Sequence, residues 1–295
     1  MPMADSNGIE ICYETFGDPE DPTLLLIMGL GAQMIAWPQP FCEGLVDRGF
    51  HVVRFDNRDV GLSTWFDDQP VDMMELIPKA MVGEPIDAPY VLHDMAADAV
   101  GLLDTLGVDQ AHVVGRSMGG MIAQTMAIDA PERVRSLISM MSTTGDPDVG
   151  MAHPEIVQDL LQPLPKDREG AIASGVATGK LIGSPEHLDE DHLRELVTAT
   201  YDRAFHPEGS NRHLVAVAAS GSRTEALKAV SVPTLVVHGD LDPLVDVSGG
   251  RRTAEAIPDA ELLILEGMGH DQAPFFWPQI IEGITRTAVA AGSVA

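Results

Sequence analysis

The chain has 295 residues, 45% hydrophobic and 21% charged, a composition that excludes a disordered or collagen-like polymer and suits a folded protein with a sizeable core. Its formal charge of −27, with 18 Lys and Arg spread along the chain and no basic run, excludes nucleic-acid and anionic-membrane partners held through phosphate contacts. The N-terminus lacks a basic segment followed by an apolar run, and Cys12 and Cys42 suit small buried hydrophobes in a reducing compartment, so a cytoplasmic protein with no membrane span is expected.

Taken in order, strand-like and helix-like runs alternate, which predicts a mostly parallel α/β sheet flanked by helices. Ile9–Phe16 reads as an edge strand, Asp18–Pro22 as a turn and Thr23–Met28 as a buried strand. A helix over Gln39–Arg48 and a strand over His51–Phe55 follow, then the loop DNRDVGLST. Met95–Leu106 has helical spacing and stops at Gly107; His112–Val114 is a strand, Met121–Ile128 a helix and Val134–Met141 a strand. From Ser142 to Asn211 the pattern changes. Helical pieces at Glu155–Leu161, Glu169–Gly179 and Asp191–Tyr201 alternate with Pro and Gly, without a convincing strand. The predicted organisation is therefore a core of residues 1–141 and 212–295 carrying a helical cap at 142–211. The alternation resumes with a strand at Pro233–His238, a helix near Gly249–Ala256, a strand at Leu262–Leu265 and a last helix from Trp277.

The stretch AHVVGRSMGGMIAQ, residues 111–124, sets Ser117 between Gly115 and Gly119 where a strand meets a helix. Glycines remove the side chains that would collide when a strand turns straight into a helix, and the helix aims its N-terminal amides at the serine. A hydroxyl is a poor nucleophile without a base. Of ten histidines, His51, His112 and His238 lie in strand patterns, His153, His187, His192, His206 and His213 lie in the insertion, and His93 begins a helix. His270, in the Gly-rich EGMGHD just after the last strand, stands where a base is needed. The acid that would fix its tautomer lies in GDLDPLVD, where Asp240, Asp242 and Asp246 compete. Asp242 is preferred because Pro243 holds it extended, whereas Asp240 is close enough to the strand to be shaping the turn. Oxyanion donors are expected from the amides of Met118 and of Leu30 in MGLGAQ.

With these residues assembled, the chain resembles the α/β-hydrolase superfamily over nearly its whole length, and within it the aclacinomycin methylesterase-like carboxylic ester hydrolases. Beyond GRSMG, the segment RFDNRDVGLST (54–64) is similar to that family's D-x-R-G-x-G-x-S loop, with Asp59 where glycine is usual, and the GDLDP and GMGH segments also fit. Met28 stands in place of the histidine of the usual HG pair. The resemblance implies ester hydrolysis with Ser117, Asp242 and His270 as the triad; Asp56 and Arg58 are expected to brace structure. Serine at position 117 excludes relatives that use aspartate there, the haloalkane dehalogenases and epoxide hydrolases.

The expected substrate is a neutral, fairly hydrophobic small-molecule ester reached under the cap. Met34, Trp37, Met141 and Phe275 are candidates for the pocket wall, with the insertion around Met151–Leu164. Lactonase, carbon–carbon bond hydrolase and cofactor-free perhydrolase chemistry remain open on the same scaffold. A nucleotide-dependent oxidoreductase is disfavoured, because the third glycine after GLG is replaced by Met34. A non-catalytic binding module is the remaining alternative. No cofactor is expected and no metal-ligand spacing stands out. Oligomeric state is not legible in the sequence.

Overall fold

The structure is a computed structural model that describes residues 1–74, 76, 79, 84–160, 165 and 167–292. Eight strands form one sheet: β1 (Met3–Ser6), β2 (Ile9–Phe16), β3 (Thr23–Ile27), β4 (His51–Phe55), β5 (Ala111–Arg116), β6 (Val134–Met140), β7 (Thr234–Gly239) and β8 (Glu261–Leu265). Their order is β1-β2-β4-β3-β5-β6-β7-β8, antiparallel at the β1–β2 and β2–β4 pairs and parallel from β4 onward. The sheet expected from the sequence is present, with β1 as an addition. That strand is four residues long, MADS, and its alternating exposed and buried pattern carries too little apolar character to read as a strand alone.

Why the central strands read as continuous apolar runs is visible in their burial. Every residue of β3 is buried. Leu24 and Leu26 pack on one face with Phe41, Leu45 and Ile280, while Leu25 and Ile27 pack on the other with Met95, Leu102 and Ile122. Parallel strands covered on both faces have no solvent side to make polar. Burying each such leucine contributes about 1.5–3 kcal/mol. The covering helices are α1 (Gln39–Val46) and α10 (Trp277–Ala290) on one side, and α2 (Leu92–Thr105) and α3 (Met118–Asp129) on the other. Within α3, Met118 through Ala127 are all buried, so the helix after Ser117 is a fixed support.

Between β6 and β7 no strand occurs among the described residues; the helices there are α4 (Pro154–Leu160), α5 (Arg168–Ile182), α6 (Glu190–Arg203), α7 (Pro207–Ser220) and α8 (Thr224–Leu227). Leu161, the last residue of the expected Glu155–Leu161 helix, and the neighbouring residues 162–164 of the expected pocket wall lie outside the described residues. Helix α7 runs through position 211, where the sequence suggested the core resumes, because Pro207 starts a helix that continues unbroken to Gly221. Helix α9 (Ser248–Ala256) links β7 to β8. The chain steps from β3 out to β4 and back across to β5, so the loops after β3 and β5 flank a crevice at the carboxyl end of the sheet. Ligands of open α/β sheets bind at such a switch point.

Candidate active site

Ser117 stands between β5 and α3 at φ 57° and ψ −123°, a strained conformation for a residue with a side chain. The strain persists because the backbone around it leaves no slack. A Cβ on Gly115 would lie 2.0 Å from the Gly119 carbonyl oxygen, and one on Gly119 would lie 2.1 Å from the Ile27 carbonyl oxygen. The Ser117 amide donates to the Met140 carbonyl at 2.9 Å, and Ser142 Oγ donates to the Ser117 carbonyl at 2.8 Å, pinning the turn from β6 as well.

His270, in the loop after β8, brings Nε2 to 3.0 Å from Ser117 Oγ, and its Nδ1 lies 2.7 Å from Asp242 Oδ2. The three groups predicted from the sequence therefore meet in one hydrogen-bonded chain, and all sit beyond the carboxyl ends of β5, β7 and β8. His270 and Asp242 are buried, at 4% and 3% exposure, so the chain works in a poorly screened environment. Asp242 Oδ1 accepts the amides of Leu244 and Val245, both at 2.9 Å. Burial pushes this carboxyl up, yet His270, His238 and the Val245 amide together hold it well below the usual carboxylate range. It stays ionised, and an ionised Oδ2 at that place accepts from His270 Nδ1–H. That leaves Nε2 free to take a proton from the serine.

The competing acids have other employment. Asp240 Oδ1 accepts the Gly267 amide at 2.7 Å and shapes the turn, while Asp246 accepts the Ser248 amide at 2.9 Å at the start of α9. Sequence reading missed two supports. Arg116 Nη2 donates to the His270 carbonyl at 3.1 Å, and His238 Nε2 donates to the Val245 carbonyl at 2.7 Å while lying 3.5 Å from Asp242 Oδ2. Only the position of Arg116 inside G-x-S and of His238 four residues before Asp242 could have signalled them.

Leu30 lies in a turn after β3 in which the Ala32 amide donates to the Gly29 carbonyl at 3.2 Å and Gly31 has φ +65°. A positive φ at the third position is the mark of a type II turn and needs glycine there. Gly29 presses on the nucleophile: a Cβ on it would lie 3.0 Å from Ser117 Cβ. Met118 is the first residue of α3, so its amide has no partner within the helix. Met118 thus follows the serine directly in sequence, and Leu30 follows the glycine whose added Cβ would press against Ser117.

Asp56, Arg58 and Asp59 act as braces. Asp56 accepts the Met34 and Leu62 amides at 2.8 and 3.0 Å and pairs with Arg203 of α6 at 2.7 Å. Arg58 forms a two-pronged pair with Asp98 at 2.7 Å. Asp59, the departure from the usual glycine, does sit at a positive φ of 65°. Its carboxylate is fully used by Arg212 of α7, Tyr90 Oη and the Phe66 amide.

The four apolar candidates occupy different environments. Trp37 and Met141 are fully buried in the core, Trp37 stacking on Phe41, and Met34 is fully buried in a short 3₁₀ turn. Phe275 is 59% exposed and stacks on His187 of the insertion. A pocket of about 250 Å³ lies between Gly31, Gln33 and Gly61 on one side and Val197, Tyr201 and Ser210 of the helices between β6 and β7 on the other. None of the four candidates lines it. Neither Ser117 nor His270 is among its lining residues. No Lys or Arg is in its wall.

Among the described residues no group of three His, Cys, Asp or Glu side chains could hold a metal ion, and no helix is long and apolar enough to cross a membrane. Comparison with known proteins gives the same picture from outside. The chain is 32% identical to rhodomycin D methylesterase DnrP of Streptomyces peucetius, over 91% of each chain. It is 28% identical to 3-oxoadipate enol-lactonase 2 of Acinetobacter baylyi, over 88% of this chain and 86% of that one. Among solved structures, the enol-lactonase of Burkholderia xenovorans superposes with a TM-score of 0.69 at 23% identity, covering 98% of this chain and 99% of the other. Residues 22–274 match the model of the alpha/beta hydrolase fold. With the serine turn, the strand order and these matches agreeing, the chain belongs to the alpha/beta hydrolase family.

Proposed function

We propose that the protein hydrolyses neutral, fairly hydrophobic carboxylic esters through an acyl-enzyme formed on Ser117. One observation carries the reading: Ser117 Oγ, His270 and Asp242 form a continuous chain of hydrogen bonds at 3.0 and 2.7 Å. In the first half-reaction His270 Nε2 takes the Ser117 proton as Oγ bonds to the ester carbonyl carbon. The amides of Leu30 and Met118 hold the resulting oxyanion. The imidazolium then gives its proton to the leaving alkoxide, and the tetrahedral intermediate collapses to an acyl-serine and a free alcohol. Water, deprotonated by the same Nε2, attacks the acyl carbonyl and releases the acid, restoring Ser117. The oxyanion donors are each worth about 2.7–4 kcal/mol of barrier.

One feature favours a neutral ester over an acid-bearing substrate: the chain carries a formal −27, which disfavours a substrate carboxylate. The relative named a methylesterase, at 32% identity, makes a methyl ester a natural first candidate. The reaction needs a small-molecule ester and water, without cofactor or nucleic acid, and Cys12 and Cys42, both free and buried, suit work in the cytoplasm. The test is release of p-nitrophenol from esters of graded acyl length. Ser117→Ala is expected to abolish it with the fold intact, and full activity in that variant ends the proposal.

A further inference from the structure

His213, on α7 of the insertion, is fully buried, and both its ring nitrogens are engaged. The Gly31 amide donates to His213 Nδ1 at 3.1 Å, and His213 Nε2 lies 2.8 Å from the Arg58 carbonyl oxygen. Because a backbone N–H only donates and a carbonyl only accepts, the two contacts fix the ring as neutral, bare at Nδ1 and protonated at Nε2. Gly31 is the third residue of the turn that carries Leu30, so the amide His213 accepts belongs to the central peptide of that turn. Type I and type II turns differ by a flip of that central peptide. The Leu30 N–H sits on the adjoining peptide and shares the Leu30 Cα with it, so a flip or swing of one redirects the other. Ser210, one turn before His213, blocks the same glycine from the other side: a Cβ on Gly31 would meet Ser210 Oγ at 2.3 Å.

We infer that His213 is a positioning residue for ester hydrolysis, holding the Leu30–Gly31 peptide so that the Leu30 amide points at the oxyanion; this rests on the function proposed above. The insertion thus supplies part of the frame of the reaction centre. The groups facing the imidazole agree with a neutral ring. Tyr90 meets it edge-on at 6.3 Å between centroids, and the Asp59–Arg212 pair beside it is internally neutralised. Burial pushes the His213 imidazole down to about 4.

The test compares His213→Leu, which removes the acceptor, with His213→Asn, whose Oδ1 can accept the Gly31 amide from nearly the same place. For His213→Leu we expect kcat for a p-nitrophenyl ester to fall roughly 10–100-fold with KM within about twofold, since the donor acts on the transition state alone. An alkyl boronic acid, which forms a tetrahedral adduct on Ser117, is expected to bind the Leu variant more weakly by the same factor, and His213→Asn to recover most of both losses. A folded Leu variant with wild-type kcat, a kcat loss that boronate affinity does not follow, or equal loss in the Asn and Leu variants overturns the assignment. A wild-type readout guards against misfolded variants: ¹⁵N-histidine spectra are expected to show His213 neutral with its proton on Nε2, and a proton on Nδ1 at pH 7 is fatal. If the wild type itself forms no boronate adduct and cleaves no ester, the fault lies with the proposed reaction and not with His213.

Discussion

Replacing Asp242 with Asn changes one atom, and the structure fixes what that atom does. Asp242 Oδ1 accepts two backbone amides, from Leu244 and Val245. An asparagine can satisfy them only by placing its carbonyl oxygen there, which turns its NH₂ toward His270 Nδ1. That nitrogen must then become the acceptor, the ring proton moves to Nε2, and Nε2 can no longer take the Ser117 proton. Turning the amide over restores the good tautomer but points the NH₂ at two buried donors. Each unsatisfied buried amide costs about 1–3 kcal/mol, so the wrong tautomer is favoured by about 2–6 kcal/mol. At 1.36 kcal/mol per decade this corresponds to a loss in kcat of about 30-fold to more than 10⁴-fold, a range whose upper end matches the general cost of this exchange in Ser-His-Asp triads. The assay is kcat for p-nitrophenyl butyrate at pH 7–8, with thermal unfolding as a control on the fold. Asp242→Asn that keeps more than about a third of wild-type kcat refutes the tautomer argument and with it the role of Asp242.

Three further outcomes follow from the same geometry. In Gly119→Ala the new Cβ starts 2.1 Å from the Ile27 carbonyl, which β3 holds in place, so the serine turn must open by about an ångström; at least a 100-fold loss in kcat/KM is expected, and near-wild-type turnover contradicts it. Arg212→Met strands the fully buried Asp59 carboxylate, at a cost of about 3–5 kcal/mol, whereas Asp59→Gly with Arg212→Met removes the charge and suits the positive φ. The double variant is therefore expected to melt higher than the single one, and a double variant no more stable than Arg212→Met sinks the idea. His112 and His213 are both held down to about 4, mainly by burial, so between about pH 6.5 and 4 the unfolded chain binds protons that the folded one refuses. Each then lowers stability by about 1.4 kcal/mol per unit as pH falls through that window, and urea melts of His112→Leu should show a shallower acid slope than wild type; parallel slopes count against it.

The meeting of Ser117, Asp242 and His270 was legible because each carries a local mark. Ser117 is bracketed by glycines whose missing Cβ atoms the turn requires, Asp242 precedes a proline, and His270 sits in a glycine-rich loop after a strand. The central strands were readable because burial on both faces leaves an unbroken apolar run. The lining of the space between core and insertion was not. Core and pocket draw on the same apolar residues, and nothing local separates Trp37 or Met141, packed inward, from Val197 or Tyr201, which line the space. The role of His213 was equally hidden, since it depends on a partner 182 residues away. Asp59 could be seen as an anomaly but not explained, because its partner Arg212 lies on the far side of the insertion.

What the insertion contributes turns on what its polar contacts are worth. Asp56–Arg203 and Asp59–Arg212 join it to the loop after β4, and all four side chains are nearly or wholly buried. Such pairs add little net stability over an apolar contact of the same size, because desolvation cancels most of their attraction. Their consequence is directional: a buried charge tolerates one partner at one distance, so sliding these helices by a few ångströms strands two carboxylates at once. The same helices hold the His270 loop, since the His270 amide donates to the Ile182 carbonyl at 2.7 Å and Ser184 Oγ accepts the Gly269 amide at 2.9 Å. They also hold the Leu30 turn, through His213 and Gly31. The ion pairs and these hydrogen bonds therefore tie the same helices to the loop after β4, to the His270 loop and to the Leu30 turn.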